Sequence, residues 1–200
     1  DGPEKAITAA VQRVHYPFLF LDPDTVSVYM LRTALGKEHI AMSDIVINPI
    51  GTVSQNEDGS ATIHLESHYR SGMKGLNGFS HLVITWWADN ADDPAYRDFL
   101  DVGMPYKNVT EPLGIFATRS PMRPNPLCVS VIAVAALDGE KGTIASYYLD
   151  AEDGTPVLDI KPYTPSIDRV AVPEVPAWCA HWPQDVETSD DFDWESEFRF

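Results

Sequence analysis

Three prolines stand within the eight residues Arg119 to Pro126, inside the run GIFATRSPMRPNP from Gly114 to Pro126. Each fixes φ, removes an amide donor and pushes the residue before it toward extended geometry, so no regular helix passes here. The middle of the chain must therefore be built from extended segments and bends. In an extended chain alternate side chains share a face. Arg119, Arg123 and Asn125 then point one way, with the guanidiniums separated by roughly 13 Å at about 3.3 Å per residue. Two arginines held like this can grip a carboxylate or a phosphate. The plainer alternative is a stiff loop whose arginines pair with nearby Asp and Glu.

The flanking sequence has a strand texture. DIVINPIGTV from Asp44 is β-branched and apolar, with Pro49 marking an edge or bulge. Glu57-Asp58-Gly59 is a turn signal. SATIHLESHY then alternates, with Ile63 and Leu65 on one face. Phe79 to Trp87 alternates again. Gly114 to Thr118, Leu127 to Leu137, Thr143 to Asp150 and Pro156 to Ile160 are further strand candidates, and Asp138-Gly139 supplies a hairpin turn. Pro94 to Leu100 predicts a short helix. At least seven short strands punctuated by turns predict a mainly β fold, a small barrel or closed sheet with a few short helices.

Three regions follow from this texture. Residues 1–40 read as an N-terminal helical appendage, with helix-forming composition over Ala6 to Val14. A second helix capped by Asp24 runs through Leu35 and stops at Gly36, with a strand over Val26 to Leu31 as the alternative. Residues 41–170 form the barrel domain. Residues 171–200 form an acidic tail that carries Trp178, Trp182, Phe192, Trp194, Phe198 and Phe200. Free segments are poor in aromatic residues, so these rings are expected to anchor on the core or on a second subunit.

Composition narrows the function. An apolar fraction of 44% over 200 residues supports a real core. No apolar run is long enough to span a bilayer as a helix, so no membrane partner is expected. Cys128 and Cys179 make neither a disulfide framework nor a zinc site, no metal is expected, and the cytoplasm is the default location. The net charge of −16 opposes broad contact with nucleic acid. Any basic patch must be local, drawn from Arg70, Lys74, Arg119, Arg123 and Lys161. The glycines of GMKGLNG do not form GxGxxG, and GxxxxGK[ST], HExxH and GxSxG are absent. A second dense run, DGTPVLDIKPY from Asp153 to Tyr163, places an Asp-Gly turn before an apolar stretch bearing Asp159 and Lys161.

GFSHLVITWW, GIFATRSPMRPNP and DAEDGTPVLDIKPYTPSIDRV closely resemble the TsaA/TrmO family of S-adenosylmethionine-dependent methyltransferases, across roughly Ile45 to Val170. The resemblance implies a small β-barrel that binds S-adenosyl-L-methionine without a Rossmann domain. It implies a homodimer with the cofactor near the subunit interface, and N6-methylation of an already modified adenosine beside the tRNA anticodon. Carried over by motif, the cofactor contacts are Ser80, His81, Arg119, Val129, Ala151, Glu152, Asp153 and Gly154. Arg123, Asn125 and Lys161 fall on the substrate side. The turn offers backbone groups to an adenine edge, and an arginine can hold the methionine carboxylate.

Two departures bear on the acceptor. GTVSQNEDGS runs almost directly into the next strand, without the Pro-Arg-Gln loop of the tRNA-type members. Cys128 stands where glycine is commoner. If the acceptor nitrogen must shed a proton, Asp159 is the first candidate base and Tyr163 the second. An ion pair between Asp159 and Lys161 is the competing role. A tRNA adenosine, a small molecule such as a thiol or metalloid, and cofactor binding without turnover remain the three readings.

Overall fold

The computed structural model of the chain describes residues 46–199. The helices expected over Ala6 to Val14 and from Asp24 to Leu35, with the rest of the N-terminal appendage, lie outside the described residues.

Six short antiparallel strands close into a barrel in the order β1-β2-β5-β4-β3-β6. They are β1 (Gly51–Gln55), β2 (Ala61–Leu65), β3 (His81–Trp87), β4 (Leu127–Asp138), β5 (Thr143–Ser146) and β6 (Pro156–Pro162). Closure leaves no free edge to template aggregation. The alternation in the sequence is the inside–outside alternation of the strands. Leu82, Ile84 and Trp86 of β3 point inward, with Ile63 of β2, Ile132 of β4, Ile144 of β5 and Val157 of β6 packed around them. His81, Val83, Thr85 and Trp87 take the opposite face and are half-buried.

β3 pairs with β4 along its whole length and with β6 on its other side, with a register shift between Thr85 and Trp86. That shift falls where the strand opens toward the cavity described below. β1 crosses β2 so closely that a Cβ at Gly51 would lie 2.2 Å from the His64 carbonyl oxygen. The β4–β5 hairpin turns at Asp138, whose carboxylate accepts hydrogen bonds from the amides of Glu140 (3.1 Å) and Lys141 (2.9 Å).

The mainly β barrel expected from the alternation is present, with six strands among the described residues where at least seven were expected. The run SATIHLESHY ends as strand at Leu65 and passes into a 3-10 helix over Ser67–Met73, and three further segments differ locally. Gly114 to Thr118 is a 3-10 turn over Ile115–Ala117, because Ile115 is buried and the Thr118 hydroxyl bonds back to its carbonyl at 2.9 Å. β5 stops at Ser146, whose hydroxyl turns to the carbonyls of Ala133 (3.0 Å) and Tyr148 (2.8 Å). The helix expected over Pro94 to Leu100 contracts to a single turn, Pro94–Tyr96, capped by Asp93.

The acidic tail returns to the body. Backbone bonds from Lys107 to the Glu197 carbonyl (2.8 Å) and from Arg199 to the Pro105 carbonyl (2.9 Å) lay it beside residues 105–107. Tyr106 is buried, stacked on Trp178 with ring centroids 5.2 Å apart and flanked edge-on by Trp182. Trp182 in turn meets Trp194 at 5.3 Å, on the short helix α1 (Trp194–Glu197). Offset and edge-on pairs of this kind add to the area they bury. Beneath them Glu197, only 3% exposed, accepts a hydrogen bond at 2.9 Å from His181.

Candidate functional site

The C-terminal ends of β1 and β3 and the N-terminal ends of β4 and β6 meet at one end of the barrel. A cavity of about 1170 Å³ opens there. Its floor is Trp86, whose indole N–H donates to the Ser130 hydroxyl at 3.0 Å. Two loops form its walls: the proline-bearing strap from Thr118 to Asn125 and the turn Leu149 to Glu152.

The strap is held by its own arginines. Arg119 donates to the Val129 carbonyl at 2.8 Å, and Arg123 reaches the Thr118 carbonyl at 3.4 Å. From outside, Arg97 donates to the Pro124 carbonyl at 2.7 Å, pairs with Asp92 and lies over the Trp87 ring. The prolines leave few amides to bond with, so side chains take over the work of fixing this backbone. The turn is fixed from β1. The Gln55 side-chain amide donates to the carbonyls of Leu149 (2.9 Å) and Ala151. The Asp153 carboxylate accepts from the Gln55 backbone amide at 3.1 Å. Gly154, at φ +85°, turns its amide onto the Val53 carbonyl at 2.8 Å. A side chain is strained at that φ, which accounts for glycine here.

Charge in the cavity is mixed. Asp89, Asp150 and Glu152 supply carboxylates, and Arg119 and Arg123 supply guanidiniums. Glu152 is held by the Asn90 amide. Cys128 is in the wall. Burial pushes its thiol pKa up and outweighs the pull of Arg123 and Arg119, with Asp150 adding to the rise, which favours the thiol over the thiolate.

Of the residues singled out by sequence, Arg119, Val129, Ala151, Glu152, Arg123 and Asn125 line this cavity. Asp153 and Gly154 shape its turn from behind. The other five are not brought to it. Ser80 precedes β3 and His81 begins it, five residues before Trp86, roughly 17 Å along an extended strand. Tyr163 follows β6 at that same far end, its ring 6.3 Å from His81. Asp159 sits opposite Thr85 on β6 and is ion-paired with Lys161, whose own side chain is exposed. Barrel topology is the reason: a motif that spans a whole strand delivers its first and last residues to opposite ends. Besides Glu152, the carboxylates at the cavity are Asp89 and Asp150. Asp89, Gln55, Phe116, Tyr148 and Asp150 were all missed; the Trp pair closing an alternating run before ADNADD was the one local signal that could have found Asp89.

The fold and site together define a closed six-stranded barrel with a mixed-charge cavity at one end. Residues 25–169 match the tRNA-methyltransferase O N-terminal domain model, and the chain belongs to that family. It is 35% identical over 139 residues to an S-adenosyl-L-methionine-binding protein of Archaeoglobus fulgidus, covering 63% of this chain and 94% of the relative. It is 34% identical over 113 residues to the tRNA (adenine(37)-N6)-methyltransferase of Escherichia coli, covering 54% of this chain and 47% of that enzyme. The crystal structure of TrmO from Pseudomonas aeruginosa superposes with a TM-score of 0.53 at 26% identity, covering 70% of this chain and 63% of that one. The chain thus spans nearly all of the archaeal binding protein but under two thirds of the solved TrmO chain.

Proposed function

We propose that this chain is an S-adenosyl-L-methionine-dependent methyltransferase that acts on the N6 amine of a tRNA adenosine. The observation that carries the reading is the charge balance of the barrel-end cavity: three carboxylates and two guanidiniums. A ligand bearing an ammonium, a sulfonium and one carboxylate matches that net charge of −1. Arg119 and Arg123 would meet the carboxylate, Asp89, Asp150 and Glu152 would offset the positive centres, and the backbone of Leu149 to Ala151 would meet the base edge. The cofactor supplies an electrophilic methyl group: the acceptor nitrogen's lone pair forms the new N–C bond, the old S–C pair returns to sulfur, and a proton leaves the nitrogen. The chain's own part is to orient the acceptor, exclude water and accept that proton. Asp150, which lines the cavity, is assigned that role in place of Asp159, which is ion-paired with Lys161.

Support for a tRNA acceptor comes from the Escherichia coli relative and the family matched. Calorimetry with S-adenosyl-L-methionine tests the cofactor half. Arg119→Ala should weaken binding about tenfold, or ~1.4 kcal/mol. Absence of any saturable heat with wild-type protein would defeat the reading. Mass spectrometry of tRNA from cells with and without the gene tests the acceptor half, with loss of one methylated adenosine expected.

Two copies of the chain are proposed to pair through the outer face of β3 and β4. There Leu127 and Val129 are 39% and 45% exposed, alongside Val131 and Val83. Sedimentation equilibrium should give a dimer that Val131→Lys dissociates, and a wild-type monomer at micromolar concentration would refute the pairing. The free thiols of Cys128 and Cys179 suit a cytoplasmic setting, which is the compartment proposed.

A further inference from the structure

β1 ends at Gln55 and β2 begins at Ala61, so only residues 56–60 join them. A connection this short cannot reach over to brace the turn Leu149 to Glu152, and the last residue of β1 takes that work. The Gln55 side-chain nitrogen donates to the Leu149 carbonyl at 2.9 Å and to the Ala151 carbonyl. Two oxygens converge on it, which identifies it as the NH2 end of the amide; the carbonyl end would face two acceptors. We propose that Gln55 is the positioning residue that sets the base selectivity of the cofactor cavity, so that a 6-aminopurine is taken and a 6-oxopurine refused. The proposal rests on the cofactor reading of that cavity.

The selectivity follows from what Gln55 leaves over. It occupies the carbonyls of Leu149 and Ala151, and the Ala151 amide turns back to the Leu149 carbonyl at 2.8 Å. The Glu152 carbonyl accepts from the Thr155 amide at 3.2 Å. Among the described residues, the Asp150 amide, the Asp150 carbonyl and the Glu152 amide then enter no hydrogen bond. The turn lines the cavity, so these are the backbone groups it has to offer a ligand. An amide beside a carbonyl matches the ring N1 acceptor and the exocyclic N6 donor of adenine. In hypoxanthine both are reversed: N1–H donates and O6 accepts, so donor would face donor and acceptor would face acceptor. Without the Gln55 amide, the Leu149 and Ala151 carbonyls lose their donor. Either can then swing into the cavity, where it would accept from the N1–H of hypoxanthine.

Calorimetry on the full chain compares S-adenosylhomocysteine with S-inosylhomocysteine, which differs only in that base edge. Wild type should hold the adenine form about a hundredfold more tightly, because a site built to hydrogen-bond one edge rejects the reversed one. Gln55→Met has like length and no donor, and Gln55→Glu presents a carboxylate that cannot donate. Gln55 is half-buried at a strand end, so both variants should keep the wild-type circular dichroism. In both, the preference for adenine should shrink to about threefold or less. A prop with no say in the base would weaken the two ligands alike and leave their ratio intact. Equal affinities in wild type, or the wild-type ratio kept in a folded variant, overturns the proposal and leaves the cofactor reading standing. So does loss of all binding by a folded variant, which would make Gln55 a general support of the site. If wild type binds neither ligand, the cofactor reading falls and takes the proposal with it.

Discussion

At the scale of single residues, Gly51 carries the most stringent demand in the barrel. The two strands β1 and β2 approach so closely that a methyl group would press on the His64 carbonyl, a backbone atom that cannot swing aside. Gly51→Ala is expected to cost about 2–4 kcal/mol, the upper range for overpacking. The urea midpoint should fall with the slope unchanged. Gly72→Ala is the control: nothing lies within 4 Å of its added carbon, and it should be close to neutral. A Gly51→Ala protein as stable as wild type would mean that β1 and β2 can slide apart, and the close crossing would lose its meaning. Neither demand was legible in the sequence. Both glycines look alike in one dimension, because a strand-to-strand approach is set by a partner 13 residues away. Arg119 was legible for the converse reason. Its neighbours Pro121 and Pro124 already state that the backbone needs side-chain support.

Among the elements, the tail depends on one buried carboxylate. Burial alone would raise the Glu197 pKa. The hydrogen bond from His181, the nearby Trp182 indole and the more distant Lys107 outweigh burial and hold it below its ordinary value of 4.5. The Trp182 N–H is close enough to act electrostatically without reaching hydrogen-bond geometry. A depressed folded-state pKa means that the unfolded chain binds the proton more readily. The stabilisation is then fully present above pH 4.5 and is lost as pH falls through the lower folded value. Acid titration followed by tryptophan fluorescence should show the 178–194 ring cluster loosening in that window. Glu197→Gln, which keeps the shape without the charge, should flatten the acid limb. An acid limb identical to wild type in Glu197→Gln would rule out this latch. The aromatic richness of the tail announced that it must pack somewhere. It could not announce Tyr106, because that partner is a lone tyrosine among loop residues with no periodicity of its own. The strap was read correctly as non-helical and incorrectly as partly strand. The burial of Ile115, a tertiary matter, curled its first residues into a turn.

For the whole molecule, acidity and tRNA must be reconciled, and the distribution of cations decides how. The chain carries −16, of which the tail from 171 to 200 contributes eight acids against Arg199 alone. The local cations that might have made a phosphate track are largely committed. Arg119 and Arg123 brace the strap, and Lys161 pairs with Asp159. Arg70 donates to the Glu140 carbonyl. Proteins that neutralise many phosphates show log K falling with log salt at about −0.9 per contact, so six to ten contacts give a very steep dependence. Here the slope for tRNA should be shallow, about −1 to −3, with affinity resting on the seated base and its immediate loop. Anisotropy of labelled tRNA between roughly 50 and 200 mM KCl measures it directly. Arg123→Ala should weaken binding with little change in slope, since that guanidinium secures the strap. A slope steeper than about −6 would require a cationic surface that the described residues do not offer, and would assign the phosphate contacts to residues 1–45.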